Sequence, residues 1–194
     1  MNRTIGIVIF DDAEELDWVG PFEVLTNACK DGDRVVVVAE SEGPVRGAKG
    51  LRVLPDHTFD DCPPLDVVLV PGGIGTRKEM HNEVLRSFLL AQAERAEWTT
   101  SVCTGAFVLS AAGLLKGKRA TTHWLTFDEL RTHDPDLELD PDARWVVDGN
   151  VVTAAGVSAG IDMALWLVGQ LYDPDHARLI QKYIQYDPAP PYQD

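Results

Sequence analysis

Four short runs rich in β-branched residues, separated by helical patterns, limit the fold of this chain more than any other feature. They are TIGIVIF (Thr4–Phe10), RVVVVAE (Arg34–Glu40), DVVLVPGG (Asp66–Gly73) and WTTSVC (Trp98–Cys103). Three of the runs are almost continuously apolar, which is typical of strands buried on both faces of a parallel sheet. This alternation predicts an α/β fold with a doubly wound, mostly parallel sheet sandwiched by helices.

The segments between the strands predict the remaining elements. Pro21 suits the first turn of a helix over PFEVLTNACK, and Asn82 suits the cap of one over NEVLRSFLLAQAER. SAGIDMALWLVGQLY has helical spacing, and RWVVDGNVVTA predicts a hairpin that turns at Asp148–Asn150. The glycine-rich GPVRGAKGLRVLPD predicts a short antiparallel excursion, and the three prolines of the tail YDPAPPYQD exclude a helix there.

Length and charge limit the classes of function. A chain of 194 residues predicts a single domain over residues 1–194. Its formal net charge of −14, spread along the chain, disfavours nucleic acid as a direct partner. No apolar run is long enough to span a membrane, and no signal peptide precedes the first strand, so we expect a cytoplasmic location without a membrane partner. The three scattered cysteines form no disulfide framework.

Ligands of such sheets bind beyond the carboxyl ends of the strands. The segments that follow the predicted strands are DDAEELDWVGP, PGGIG and CTG, and AAGVSAG follows the second strand of the hairpin. These four loops would bring an acidic segment, a glycine pair, a cysteine and a run of small residues to one edge. We therefore expect a site there.

Cys103 lies at the centre of this expected site. Strand, cysteine and helix in succession are typical of a nucleophile elbow, and Gly105 would let the turn close tightly. The helix that begins beside the sulfur should lower the pKa of the thiol. The alternative is that Cys103 serves only as a small buried hydrophobic residue, as free cysteines most often do.

Two neighbouring loops could assist the cysteine. The N–H of Gly73, next to Gly72, could pair with the N–H of Thr104 as an oxyanion hole, although glycines also serve in ordinary turns. Asp17 lies between Leu16 and Trp18, so we expect a half-buried carboxyl with a raised pKa that can transfer protons. The alternative for Asp17 is a helix-start acid that satisfies backbone N–H groups.

The remaining candidates concern the pocket. His123 is the only histidine near a plausible strand end, and with Trp124 we expect it to line the site. No cluster of His, Cys, Asp or Glu has the spacing of a zinc site, so a metal is not implied. Thr104 follows the cysteine where a protease-like pair would need a histidine.

The motifs VPGGIG, TSVCTGAFVLSAAGLLKGKRATTHW and GNVVTAAGVSAGIDMALWLV resemble the ThiJ/PfpI superfamily. LDWVGPFEVL, DCPPLDVVLVPGG, SVCTG and YDPAPPYQ resemble most the isocyanide hydratases of bacteria within it. The resemblance implies a flavodoxin-like, glutamine-amidotransferase-like fold, a homodimer and no cofactor. It also implies Cys103 as nucleophile, Asp17 as acid and Thr104 in support.

For such hydratases the resemblance implies attack of a thiolate on an isocyanide, a thioimidate, and release of an N-substituted formamide after addition of water. Ile74 of VPGGIG and the small residues Ala155 and Gly156 would then border an apolar pocket for a small-molecule substrate. Two alternatives stay open. One is a ligand-sensing domain, because the CTGAFVL and ATTHW segments also resemble AraC-type regulators. The other is a different thiol activity, of glyoxalase, deglycase, peptidase or redox-sensor type.

Overall fold

The structure, a computed structural model, describes residues 2–190. The expected non-helical tail is confirmed as far as Pro190, and its last four residues lie outside the described part of the chain. Within residues 2–190 no helix has the length and apolar character needed to cross a membrane.

Strands and helices alternate through most of the chain. The strands are β1 (Thr4–Val8), β2 (Arg34–Ala39), β3 (Val45–Arg46), β4 (Arg52–Val53), β5 (His57–Thr58), β6 (Val67–Val70), β7 (Trp98–Val102), β8 (Arg119–Ala120), β9 (Glu138–Leu139), β10 (Trp145–Asp148) and β11 (Val151–Ala154). The helices are α1 (Glu15–Ala28), α2 (Thr76–Glu79), α3 (Glu83–Ala93), α4 (Gly105–Ala111), α5 (Phe127–His133), α6 (Ala159–Leu171) and α7 (Pro174–Tyr183). A 3₁₀ turn over Trp124–Thr126 precedes α5.

The central sheet has seven strands in the order β10-β11-β7-β6-β1-β2-β5. Its pairings are parallel except for the hairpin of β10 and β11. In β1, Ile5 faces Val35 of β2 on one side and Val67 of β6 on the other. All residues of β1 and β6 are buried, which accounts for their uninterrupted apolar sequence. The doubly wound, mostly parallel sheet is thus confirmed.

The helices pack in two groups around this sheet. α1, α6 and α7 contact one another, and a core cluster that includes Leu25 and Leu167 joins them to β1 and β6. The residues Phe88 of α3, Phe107 of α4 and Leu130 of α5 belong to a second, larger cluster. The helices thus cover the sheet with apolar side chains, as a doubly wound fold requires.

Most local predictions agree with the structure. The Asn82 side chain caps α3 by accepting hydrogen bonds from the backbone N–H groups of Val84 (3.0 Å) and Leu85 (3.2 Å). The hairpin turns at Gly149 and Asn150, and β3 pairs with β4 as the antiparallel excursion.

The predicted start of the first helix is wrong. α1 begins at Glu15, and Pro21 lies in its interior rather than in its first turn. A proline in a helix interior removes one hydrogen bond to the carbonyl four residues earlier. The helix persists because one side of it, including Trp18, Val24 and Leu25, is buried in the core. Asp17 is therefore in the first turn of α1 rather than in a loop.

The strand order reverses beside β1. The chain runs from β1 outward to β2 and β5, then crosses back to β6 on the opposite side of β1. The crevice at such a switch point, beyond the carboxyl ends of the strands, is where doubly wound sheets bind ligands. Here the segments after β1 and β6 border it.

Candidate active site

The structure brings the predicted site residues together at this edge of the sheet. The backbone N–H of Gly72, after β6, donates a 2.8 Å hydrogen bond to Oδ2 of Asp17 in α1. A side chain on Gly72 would lie within 2.8 Å of that carboxylate and 2.7 Å of the Thr104 hydroxyl oxygen. Only glycine at this position allows the segment after β6, helix α1 and the turn after β7 to approach so closely.

Cys103 forms the predicted elbow between β7 and α4. Its φ of +58° lies in the left-handed region, which costs a non-glycine residue roughly 1–2 kcal/mol. Hydrogen bonds on both sides hold the turn. The N–H of Cys103 donates to the carbonyl oxygens of Ala154 and Ala155 at 3.0 Å, and the Thr122 hydroxyl donates to the carbonyl of Cys103 at 2.9 Å. At Gly105 a Cβ would overlap the Val70 carbonyl oxygen, as expected for a closely packed turn.

The carboxyl of Asp17 is fully buried, not half-buried as the sequence predicted. Burial raises the pKa of Asp17 from 3.8 to about 7, and the nearby Glu14 charge raises it further. The hydrogen bonds from the Gly72 N–H and from Cys103 lower that pKa in part. The side chain can therefore gain or lose a proton near neutral pH.

Burial has the same effect on the cysteine. It raises the pKa of the Cys103 thiol to about 12, and the charge of Asp17 adds to the rise. The N–H groups of Thr104 and Val157 and the Thr104 hydroxyl oppose this rise as hydrogen-bond donors. The prediction of a lowered thiol pKa is wrong, because loss of hydration and the neighbouring carboxylate outweigh the start of a short helix. The free thiol is thus protonated, and it needs a base when it reacts.

The predicted oxyanion pair also needs correction. The N–H of Gly73 donates to Oγ1 of Thr104 at 2.9 Å and so stabilises a side chain instead of facing the cavity. The N–H that joins that of Thr104 at the sulfur belongs to Val157, which the sequence analysis missed. Val157 has a φ of +47°, a strained conformation that no local sequence signal reveals.

A cavity of about 160 Å³ opens at the sulfur. Two of the predicted pocket residues, Ile74 and His123, line it. Cys103, Thr104 and Gly73 also line it, and its other walls are Glu14, Arg77 and Val157. Neither Glu14 nor Arg77 was predicted, since each comes from an exposed, charged stretch. Glu14 pairs with Lys49 at 2.5 Å, and Arg77 pairs with Glu129. The two charges on the walls are thus each neutralised by a partner.

The other predicted pocket residues do not line this cavity. Gly72 positions Asp17, and the carbonyl of Ala155 accepts the N–H of Cys103. Gly156 packs against the His123 ring so closely that a Cβ would overlap it. Trp124 is 72% exposed, with its ring 5.9 Å from that of His123. It therefore lies beside the cavity rather than within it.

Within residues 2–190, no three side chains of His, Cys, Asp or Glu are grouped so that they could hold a metal ion. Burial lowers the pKa of His123, so its imidazole is the neutral form at neutral pH. Asp17 is therefore the group in this site that can exchange a proton with the sulfur near neutral pH.

Comparison with known proteins identifies the family of this chain. The model of the DJ-1/PfpI family matches residues 3–170. The chain belongs to the DJ-1/PfpI family. The sequence is 46% identical over 192 residues to the isonitrile hydratase of Pseudomonas putida, covering 99% of this chain and 82% of that protein.

Other family resemblances are broader. A ThiJ/PfpI family protein from Pseudomonas syringae superposes with a TM-score of 0.92 at 36% identity, over 100% of this chain and 78% of that one. The HTH-type transcriptional regulator GbdR of Pseudomonas aeruginosa is 31% identical over 143 residues, which are 74% of this chain but 38% of the regulator. The similar segment thus makes up most of the hydratase but a smaller part of the longer regulator.

Proposed function

We propose that this protein is a lyase that hydrates isocyanides to N-substituted formamides, with Cys103 as the nucleophile. The observation that carries the proposal is the fully buried Asp17 carboxyl beside Cys103, whose pKa burial raises to about 7. The similarity to an isonitrile hydratase over nearly the whole chain supports it. Both residues fall in segments that resemble that group of enzymes.

In the first step Asp17 acts as a base and then as an acid. Its carboxylate takes the proton of the Cys103 thiol while the sulfur attacks the terminal carbon of the isocyanide. The new S–C bond leaves an electron pair on that carbon, and Asp17 returns the proton to it. The product is a thioimidate, in which the carbon carries hydrogen, sulfur and a double bond to nitrogen. Because one proton moves twice, a carboxyl that titrates near pH 7 suits the step.

The second step consumes water. A water molecule attacks the thioimidate carbon and passes a proton to Asp17, which supplies one to the nitrogen. The tetrahedral species then forms its C=O bond as the C–S bond breaks, and the hydroxyl proton returns to the sulfur through Asp17. The products are an N-substituted formamide and the Cys103 thiol, so the enzyme is regenerated without any further reactant.

Hydrogen-bond donors around the sulfur can stabilise the negative charge that develops on it in both steps. The N–H groups of Thr104 and Val157 face the sulfur as it gains negative charge, both on attack and on departure. The hydroxyl of Thr104 can donate and accept, so it can orient the water. Glu14 and Arg77 on the cavity wall are each paired with an opposite charge, which suits a neutral substrate.

The test is direct. Purified protein is mixed with cyclohexyl isocyanide, and N-cyclohexylformamide is followed by chromatography beside the Cys103→Ala and Cys29→Ala variants. We expect turnover by the wild type and by Cys29→Ala, and none by Cys103→Ala. Formamide production that survives in Cys103→Ala would refute covalent catalysis. A wild type that produces no formamide while Cys103 is reduced would refute the proposed hydratase activity.

The similarity to GbdR supports one further candidate, a domain that senses a small molecule. Such a domain would use the 160 Å³ cavity for binding without turnover. Saturable binding of a metabolite by protein that hydrates no isocyanide would favour it.

We also propose a homodimer in the cytoplasm. The exposed apolar side chains of Leu16, Leu51 and Leu54 support a second copy as the partner, since α1 and the β3–β4 segment are joined by Glu15, which accepts the N–H of Leu51. Sedimentation equilibrium would test it, and a monomer mass at micromolar concentration would contradict it.

A further inference from the structure

A second and larger cavity lies apart from Cys103, and the proposed mechanism does not use it. It has a volume of about 360 Å³ and opens beyond the carboxyl ends of β1 and β2. α2 contributes to both cavities, since Arg77 lines the smaller one, whereas Lys78 and Glu79 line the larger; the two share no lining residue. Both the volume and the place at the carboxyl edge of a doubly wound sheet are typical of ligand-binding sites.

Two carboxylates meet in the wall of this larger cavity. Oδ1 of Asn82 accepts the backbone N–H groups that it caps at the start of α3, so its amide nitrogen faces the other way. That nitrogen donates to Glu40 at 2.7 Å and to Glu79 at 2.8 Å. Both N–H groups of the amide are thus used, and the two carboxylates are held close together.

Glu79 is buried, but its carboxylate is incompletely paired. The side chain is 6% exposed, and its Oε1 lies 3.4 Å from Nζ of Lys78, which is itself 81% exposed. In the described part of the chain only Asn82 donates a hydrogen bond to this carboxylate. A buried carboxylate is costly unless it is both paired and hydrogen-bonded. A donor that a ligand brings into the cavity would complete its pairing.

The rest of the lining indicates the class of ligand. Asp11 adds a third carboxylate, so the acids outnumber the single lysine. The apolar part of the lining includes Phe10, Phe59 and Leu85. Such a wall repels anions, and a bare inorganic cation would leave its apolar part uncovered. An organic cation matches both parts.

We propose that this cavity is a second binding site, for a small primary ammonium ion that carries an apolar group. An ammonium has three N–H donors and no acceptor, so it suits a wall of carboxylates. It donates to Glu79 and Glu40, and the apolar group packs against Phe10, Phe59 and Leu85. The site does not depend on the proposed hydration of isocyanides.

Three ligands of similar shape and different charge test the inference. Phenethylammonium, 2-phenylethanol and 3-phenylpropionate are titrated into the protein at pH 7 and low salt by isothermal titration calorimetry. We expect phenethylammonium to bind at least about tenfold more tightly than the alcohol, because hydrogen bonds to charged groups are the stronger ones. Phenylpropionate should not bind. Equal affinities for the cation and the alcohol, or no saturable binding of the cation, would overturn the inference.

The apolar part of the site has its own test. Methylammonium carries the same charge but no apolar group, so it should bind at least about tenfold more weakly than phenethylammonium. Equal affinity of the two cations would contradict the proposed packing of the apolar group.

Substitutions test the role of the carboxylates. Glu79→Gln keeps the shape of the side chain and an acceptor for Asn82, and it should weaken phenethylammonium binding about tenfold. Glu23→Gln is the matched control, because the exposed Glu23 of α1 accepts a comparable hydrogen bond from Asn27 at 2.9 Å. Equal weakening in both variants would show a general effect of net charge and overturn the inference. Should Glu79→Gln not fold, Glu40→Gln carries the test, with weakening expected and an unchanged affinity contradicting the proposal.

Methyl NMR separates this cavity from the one at the sulfur. Phenethylammonium should shift the methyl signals of Val45 and Leu85, which line the larger cavity, and not those of Ile74 and Val157, which line the smaller. Shifts confined to Ile74 and Val157 would place the amine at the catalytic cavity and overturn the inference. Because none of these measurements involves turnover, the ammonium site and the proposed hydratase activity can fail independently.

Discussion

The buried carboxyl of Asp17 should lower the free energy of unfolding at neutral pH, and Asp17→Asn should raise it again. Removal from water is the main reason that the pKa of Asp17 rises to about 7. An asparagine has nearly the same shape and carries no charge to desolvate. Its amide oxygen can still accept the N–H of Gly72, so the substitution keeps the hydrogen bond across the site.

The magnitude follows from the linkage between protonation and folding. The change from 3.8 to about 7 corresponds to roughly 4 kcal/mol between the two protonation states of Asp17. Between these values the folded protein binds more protons than the unfolded chain, so stability falls as pH rises and levels off above about pH 7. The stability of Asp17→Asn relative to wild type should therefore increase by about 3 kcal/mol between pH 5 and pH 8.

Urea unfolding of both proteins, followed by circular dichroism from pH 5 to pH 9, measures this difference. Asp31→Asn is the control, because it makes the same chemical change at an exposed turn residue outside the core. A gain from Asp17→Asn that is equal at pH 5 and pH 8 would refute the argument. So would a loss at pH 8, since the carboxylate would then be better solvated than its burial indicates.

Three further predictions concern activity and packing. For the wild type, kcat/KM should rise with pH through about 7, because Asp17 must be ionised to take the thiol proton; a flat pH–rate profile from pH 5.5 to 8.5 would contradict this role. Gly105→Ala should lower the free energy of unfolding by roughly 1–3 kcal/mol in urea, since its Cβ would overlap a strand carbonyl. The control Gly43→Ala has an open position and should cost little. Trp124→Ala should raise KM for a naphthyl isocyanide but not for methyl isocyanide. A cavity of about 160 Å³ holds little more than a benzene-sized group, so a naphthyl group must extend over the exposed tryptophan. Equal effects on both substrates would place the naphthyl group elsewhere.

Local patterns determined the order of elements and the position of the cysteine. Apolar runs over β1 and β6 predict buried parallel strands because no polar face interrupts them. The cap at Asn82 and the turn at Gly149 depend on neighbours within a few residues. The elbow at Cys103 is predictable for the same reason, since strand, cysteine and helix follow one another directly.

Two predictions are wrong because tertiary packing outweighs a local preference. Pro21 prefers a first turn, but burial of α1 against the core extends the helix around it. The start of α4 favours a thiolate at Cys103, but burial beside Asp17 raises the thiol pKa instead. In each case the local preference is small, and the free energy of burial and desolvation is larger.

The sequence by itself determined which residues lie at the carboxyl edge of the sheet: Asp17, the glycine pair, Cys103 and Thr104. Only the tertiary structure decided how they are connected. It directs the N–H of Gly73 to Thr104, places that of Val157 near the sulfur, and brings the Thr76 hydroxyl to the Gly73 carbonyl. The physical reason is that the type and succession of strands and helices follow from local hydrophobic patterns, whereas hydrogen bonds and pKa values depend on ångström distances between segments far apart in the chain.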